Sequence, residues 1–320
     1  MIKGRHSFLV IVYQKMMRFC QLIIFLVFIY SCSGDGKKNE AATYGNLEFG
    51  SDLGLQYIME SEASLFNYFY KNATISPKFN SENQLIEDFI NNKIKLIVTF
   101  RDFNSKEKQL LKDRKVVPYT TIIGLEGLAL VVGSNCKDTS ISIQDLTKLI
   151  SHSDSLSADI SSKWKNIVFD GSGSSNQRFI DSLIGGKKLS ARCFSKKSPQ
   201  ECIDFVAENE NSIGLVSFAL LADKDDLRVR KNREKVKTLA LSTDGKNFFR
   251  PSQRSFFNFD YPLIRKIYMH TREAEGSLAM GFISYVSSEE GQLVIKQGGL
   301  MPARLPWTDM KAVFEPMKIK

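Results

Sequence analysis

The sequence predicts an α/β protein with mostly parallel sheets flanked by helices. Short apolar runs alternate with amphipathic helical patterns along most of the chain. No internal repeat of fixed period interrupts that alternation. A chain of 320 residues with 43% apolar and 25% charged content can bury a large core, as two lobes or one large unit.

Taken in order, Leu47–Phe49 reads as a short strand. Leu53–Tyr70 reads as a helix, with Leu55, Ile58, Met59, Ala63, Phe66 and Phe69 on its apolar face. Strand Ala73–Phe79, helix Asn83–Ile90 and the buried strand Ile94–Phe100 (IKLIVTF) follow, then helix Lys106–Leu111 and an extended Lys115–Tyr119. Gly127–Gly133 (GLALVVG) is a second apolar strand. Next come helix Gln144–Ile150, strand Ile167–Phe169, helices Asn176–Leu183 and Pro199–Glu208, and strand Ile213–Val216. The chain returns through Thr238–Leu241 and an aromatic-rich stretch to strand Ile264–Met269 and helix Leu278–Ser287. The basic stretch Arg228–Lys237 (RVRKNREKVK) reads as a solvated face or loop.

The first 31 residues read as a targeting segment. Lys3, Arg5, Lys15 and Arg18 precede the apolar run Phe19–Tyr30, which has the length of a signal-peptide core and is short for a membrane span. The ending Ile29-Tyr30-Ser31-Cys32 is similar to a bacterial lipobox, so Cys32 is the expected lipidation site and 1–31 the signal peptide. Residues 32–44, small and polar, form the expected tether. This places the protein in the cell envelope, membrane-anchored and facing the periplasm.

The formal charge of +9 is partly a product of that segment, since the remainder holds 40 basic against 35 acidic residues. Without a basic cluster interleaved with aromatics, nucleic acid is not an expected partner. A mild positive field favours an anionic ligand. Only His6, His152 and His270 exist, and no spacing suits a metal, so neither metal nor cofactor is expected. Cys193 and Cys202 are close enough to pair in an oxidising periplasm, and buried free thiols fit equally well.

The stretch that carries most chemistry is Lys165–Ile184 (KNIVFDGSGSSNQRFIDSLI). A strand runs into Asp170-Gly171-Ser172-Gly173-Ser174-Ser175, and a helix starts at once. Glycines permit the sharp turn, serines cap the helix, and unpaired N–H groups at its start suit an oxyanion. Turn chemistry alone explains the same composition.

Several segments, in order, resemble the phosphate-binding proteins of bacterial ABC transporters, which have the type II periplasmic binding-protein fold. Asp170–Ser174 resembles the family's DGSGT anion loop, and Gly124–Val132 (GLEGLALVV) its DGLAVVV crossover strand. Thr99–Asp102 is similar to its Ser-Arg-Pro or Ser-Asp loop. Ile143–Leu149 with Trp164, Asn209–Ser217, Tyr261–Arg265 and Ser287–Gln292 with Gly298–Pro302 match further family segments. Val168 stands where the family often has an arginine, and Ser51-Asp52-Leu53-Gly54 replaces a Gly/Ser/Thr-rich first loop.

The resemblance implies two lobes, roughly 45–130 plus 255–320 and 135–250, joined by two crossover strands, with the ligand between them. It implies a monomeric, lipid-anchored solute-binding protein that captures inorganic phosphate or a related oxyanion for an ABC permease. From the second lobe, Ser172, Gly173, Ser174 and Ser175 would supply hydroxyls and N–H groups, with Arg178 either at the ligand or facing solvent. From the first, Ser51, Ser81, Thr99 and Arg101 would face them. Asp102 is either an acceptor for a phosphate proton, which would penalise sulfate, or a turn residue.

The alternative is an envelope or sensory lipoprotein with the same fold and an altered site. An enzyme is not expected. No Gly-x-Ser-x-Gly surrounds Ser172, Ser174 or Ser175, and Gly185-Gly186-Lys187 lacks the rest of a P-loop.

Overall fold

The computed structural model describes residues 41–151 and 158–304; the signal peptide, Cys32 and most of the tether lie outside them. No helix among the described residues is long and apolar enough to cross a membrane.

Strand β1 (Gly45–Asp52) runs parallel to β2 (Ala73–Asn80) on one side and β3 (Leu96–Thr99) on the other. Helix α1 (Gln56–Phe69) connects β1 to β2, and α2 (Glu82–Ile90) connects β2 to β3. Helix α1 buries Ile58, Met59, Ala63 and Phe66 of the face its periodicity predicts, while Phe69, expected on that face, is exposed and Leu55 lies in the turn before the helix. Ser81 caps α2, its hydroxyl accepting from Gln84 N–H at 3.4 Å. Helix α3 (Ser105–Asp113) starts with a capping box between Asn104 and Glu107.

The centre of the sheet is β4 (Tyr119–Gly133), fifteen residues long. Its first part pairs antiparallel with β11 (Ile264–Thr271), which in turn pairs antiparallel with β3. Its last part pairs antiparallel with β8 (Ser212–Ser217) and β9 (Val236–Thr238). Beyond β8 lie β6 (Asn166–Phe169) and β7 (Cys193–Ser195), again parallel. The sheet is therefore mixed: parallel on its flanks, as expected, and antiparallel wherever β4 or β11 is a partner. Of the segment 115–119 only Tyr119 enters β4, because Lys115 sits in a turn at φ +57°. From Tyr119 the strand runs against β11 and on without a break into 127–133.

On the β6 side lie α4 (Ile143–Ile150), α5 (Ala158–Lys163), α6 (Ser175–Leu183), α7 (Pro199–Glu208), α8 (Ala219–Ala222) and α9 (Leu227–Lys235). A separate pair joins β5 (Ser140–Ser142) to β10 (Ala240–Ser242). Helices α10 (Gln253–Phe257), α11 (Leu278–Val286) and α12 (Glu289–Gln297), with β12 (Met301–Pro302), complete the β1 side. The basic stretch is helix α9, not a loop. It buries Val229 and Asn232 and turns its charges outward.

One apolar core runs continuously through both halves of the sheet, from Phe49, Phe66 and Phe282 to Leu130, Ile167 and Leu215. A smaller cluster of Leu85, Ile86, Phe89, Ile97, Phe103 and Leu111 seats α2 and α3. Cys136, Cys193 and Cys202 are free thiols. Cys202 Sγ instead donates to the Val168 carbonyl at 3.4 Å, in a setting that pushes its pKa far up by burial.

Candidate functional site

The carboxyl ends of β1, β3 and β6 converge on one buried polar cluster, the position where open α/β sheets present ligand groups. At the end of β1, Ser51 and Asp52 are buried. Asp52 Oδ1 accepts from Gly54 N–H at 2.8 Å and starts a short 3-10 turn, Leu53–Leu55. A side chain at Gly54 would meet Ser217 Cβ at 2.7 Å, so this turn lies directly against the end of β8. Burial first, then the negative charge of Glu82, raises the Asp52 pKa to about 7, against the opposing pull of Arg265.

Glu82, the first residue of α2, is fully buried. Its Oε1 accepts from Phe100 N–H at 2.9 Å, just past β3, and its Oε2 from Arg178 Nε at 2.5 Å on α6. Arg101 Nε stands 3.4 Å from the same Oε2. The other edge of Arg101 makes a two-pronged pair with Glu107, at 2.6 and 2.8 Å. Glu107 is thus both capping-box residue and counter-ion. Its pKa lies below the carboxylate norm: burial opposes this, but Arg101 and the Asn104 N–H outweigh it.

A second cluster lies on the central strands. Arg265 and Glu126 are direct cross-strand neighbours on β11 and β4, and Arg265 Nε donates to Glu126 Oε1 at 2.5 Å. Glu126 Oε2 accepts from Ser217 Oγ at 2.5 Å and Ala219 N–H at 3.3 Å. Burial still raises its pKa despite these partners. The Arg265 guanidinium lies 3.5 Å above the Phe100 ring centroid and reaches Ser175 Oγ at 3.4 Å.

The Gly/Ser loop turns as its composition predicts. Gly173 adopts φ +68°, and its N–H donates to Gln177 Oε1 at 2.9 Å. Ser174 caps α6, accepting from Gln177 N–H at 3.2 Å. Ser172 is exposed and Ser175 buried. Asp170 holds Asn176 Nδ2 at 2.5 Å, and burial raises its pKa to about 6. A Cβ on Gly173 would stand 3.3 Å from Asn83 Nδ2, so the loop meets the start of α2.

The expected residues therefore divide. Ser51, Ser81, Arg101, Ser174, Ser175 and Arg178 sit within or beside the two clusters, and Arg178 faces Glu82 rather than solvent. Thr99 is buried on another side, its hydroxyl donating to the Arg101 carbonyl at 2.8 Å and lying 3.1 Å from His270 Nε2. Burial lowers the His270 pKa to about 4. Asp102 is half-exposed, held by Phe103 N–H at 2.7 Å and Lys108 Nζ at 2.7 Å, the turn arrangement of its two readings.

Sequence reasoning missed Glu82, Glu126, Arg265 and Asn176. Glu126 left a signal, a single acid inside an apolar run. Arg265 lies in the segment Tyr261–Arg265, but nothing local marks it as the arginine that reaches Ser175 at the start of α6. A cavity of about 850 Å³ opens elsewhere, beside Phe69, Tyr70, Met280 and Tyr285, and none of these groups lines it.

A family model described as a PBP superfamily domain matches residues 38–290. Similar solved structures include a phosphate ABC transporter substrate-binding protein with bound phosphate from Clostridium perfringens. It is 18% identical with a TM-score of 0.65, covering 81% of this chain and 100% of that one. An ABC-type phosphate transport receptor from Vibrio cholerae is 16% identical with a TM-score of 0.58, covering 81% and 100%. The CcmR regulatory domain of Synechocystis, in complex with 2-PG, is 13% identical with a TM-score of 0.53, covering 76% and 95%. No curated protein matches. At these identities the likeness is one of fold.

Proposed function

This chain belongs to the PBP superfamily, and on that premise we propose that it is a lipid-anchored solute-binding protein. In this reading it captures inorganic phosphate, or a similar oxyanion, and delivers it to an ABC-type permease. The two lobes are residues 45–130 plus 255–320, of which 305–320 lie outside the described residues, and residues 135–250, with β4 and the return through Thr238–Phe259 as crossovers. Cys32 carries the lipid, and the protein works as a monomer in the cell envelope, membrane-anchored and facing the periplasm.

One observation carries the reading. Donors from both halves of the sheet converge on a single buried acceptor position: Phe100 N–H and Arg101 from one, Arg178 from the other. A desolvated oxyanion needs such a set, because a buried charge without partners is costly. The start of α6, with Ser174 and Ser175, adds hydroxyls and dipole beside it. Asp52, protonatable near neutral pH, supplies a carboxyl that can receive the phosphate proton, the role first considered for Asp102. Capture is then population shift on binding and involves no bond chemistry.

Titration calorimetry of the purified full chain with phosphate, sulfate and molybdate tests this. Phosphate is expected to give heat and to raise the melting temperature. Silence toward all three, kept in Glu82→Gln, overturns the reading. Metabolic labelling with a radioactive fatty acid, lost in Cys32→Ser, tests the anchor.

A further inference from the structure

Glu82 occupies the position that the donors define. We propose that its carboxylate is a built-in occupant of the anion seat, so that a free oxyanion binds by displacing it. This rests on the reading of the cluster as an oxyanion site.

The donor count supports displacement. A carboxylate offers two oxygens. Around Glu82 stand Phe100 N–H at 2.9 Å, Arg178 Nε at 2.5 Å and Arg101 Nε at 3.4 Å. Arg101 Nε and Arg178 Nη2 are buried and make no hydrogen bond. The seat therefore holds more donor capacity than the carboxylate uses, and an ion with four oxygens has acceptors to spare for it. Glu82 and such an ion cannot share these donors, because two like charges in one buried site repel strongly.

The means of withdrawal is also present. Glu82 is the first residue of its helix, anchored by the Ser81 cap rather than by a strand pair. Its guanidinium partners keep some solvent contact, with Arg101 at 16% and Arg178 at 29% side-chain exposure. Glu82 therefore sets the affinity threshold of the site. It also selects against carboxylates, which offer the donors nothing that Glu82 does not already supply.

Two variants test this. Glu82→Gln keeps the shape and an acceptor for Phe100 N–H, and removes the charge. Glu82→Ala empties the position. Calorimetry with inorganic phosphate is expected to show binding about tenfold tighter, or more, in Glu82→Gln than in the unaltered chain. Thermal melting of Glu82→Ala is expected to rise with added phosphate or acetate by more than that of the unaltered chain, since either ion refills the vacated seat. If the unaltered chain binds phosphate and Glu82→Gln binds it no more tightly, the displacement proposal is overturned and the oxyanion reading stands. If neither protein binds phosphate and no anion rescues Glu82→Ala, the oxyanion reading itself is overturned. Acetate rescue of Glu82→Ala needs only a measurable melt, so it decides the point even if that variant is destabilised.

Discussion

Glu126 and Glu82 are both fully buried glutamates that meet arginines, yet they are held in opposite ways. Glu126 pairs with Arg265 across adjacent antiparallel strands, and both side chains are sealed, at 0% and 2% exposure. Its second oxygen is taken by Ser217 and Ala219, so the carboxylate is fully enclosed by its own scaffold. Glu82 sits at a helix start, and its arginines come from a loop and from α6. Buried guanidinium nitrogens without a hydrogen bond occur in both clusters, Arg265 Nη2 beside Glu126 and Arg101 Nε and Arg178 Nη2 beside Glu82. A pair locked into strand register cannot part without breaking the sheet. A pair between a helix start and another helix can. The Glu126 cluster is a pillar; the Glu82 cluster is a seat.

The largest expected effect breaks the pillar. Glu126→Ala leaves Arg265 buried without its counter-ion and is expected to cost about 3–5 kcal/mol in urea unfolding. The double replacement Glu126→Leu with Arg265→Leu is expected to recover much of that, because a well-packed apolar pair avoids the desolvation cost. A loss under about 1 kcal/mol for the single variant would erase the distinction between the clusters.

Asp52 comes next, through pH. Its pKa is raised from the ordinary value to about 7, so the folded state binds a proton more tightly than the unfolded chain. The associated stability is complete below the unfolded pKa and is lost as pH rises through about 7. Asp52→Asn removes that loss. Its advantage over the unaltered chain is expected to be larger at pH 8 than at pH 5 by on the order of 3 kcal/mol. His270, lowered to about 4, shifts stability the opposite way, gaining it as pH rises toward 6.5, but it cancels in this difference. A constant offset between pH 5 and pH 8 would show that Asp52 titrates as an ordinary carboxyl.

Arg178→Ala probes the seat. Glu82 keeps Phe100 N–H and Arg101, so the cost in chemical unfolding is expected to be about 1–2 kcal/mol, well below the pillar variant. Equal costs would make the two clusters alike. Gly173→Ala is expected to lose about 1 kcal/mol, since φ +68° strains an L residue and the new Cβ presses on Asn83. The smallest effect is Asp102→Asn, which breaks a half-exposed pair with Lys108. It is expected to change stability by less than about 1 kcal/mol and phosphate affinity not at all. A tenfold fall in affinity would return Asp102 to the site.

The local features of the site were legible. Asp170 through Ser175 announce a turn and a capped helix, and Gly173 and Ser174 take those roles because composition and dihedral preference are local properties. Ser81, expected only to face the ligand, is the cap of α2. Thr99 was read as facing the ligand because it ends a strand, but the antiparallel neighbour β11 brings His270 to its hydroxyl. The antiparallel centre of the sheet was illegible for the same reason. Apolar runs do not state which strand lies beside them or in which direction.

By itself the sequence determined the order of the main strands and helices and the Gly/Ser turn at Asp170–Ser175, all set by neighbours a few residues apart, while it left α9 and α12 unpredicted. Only the tertiary structure decided which charges meet. Arg178 reaches Glu82 across 96 residues and Arg265 reaches Glu126 across 139, through strand register and helix placement that no local pattern encodes. That pairing decides whether a buried carboxylate is locked by strand register, as Glu126 is, or held at a helix start, as Glu82 is.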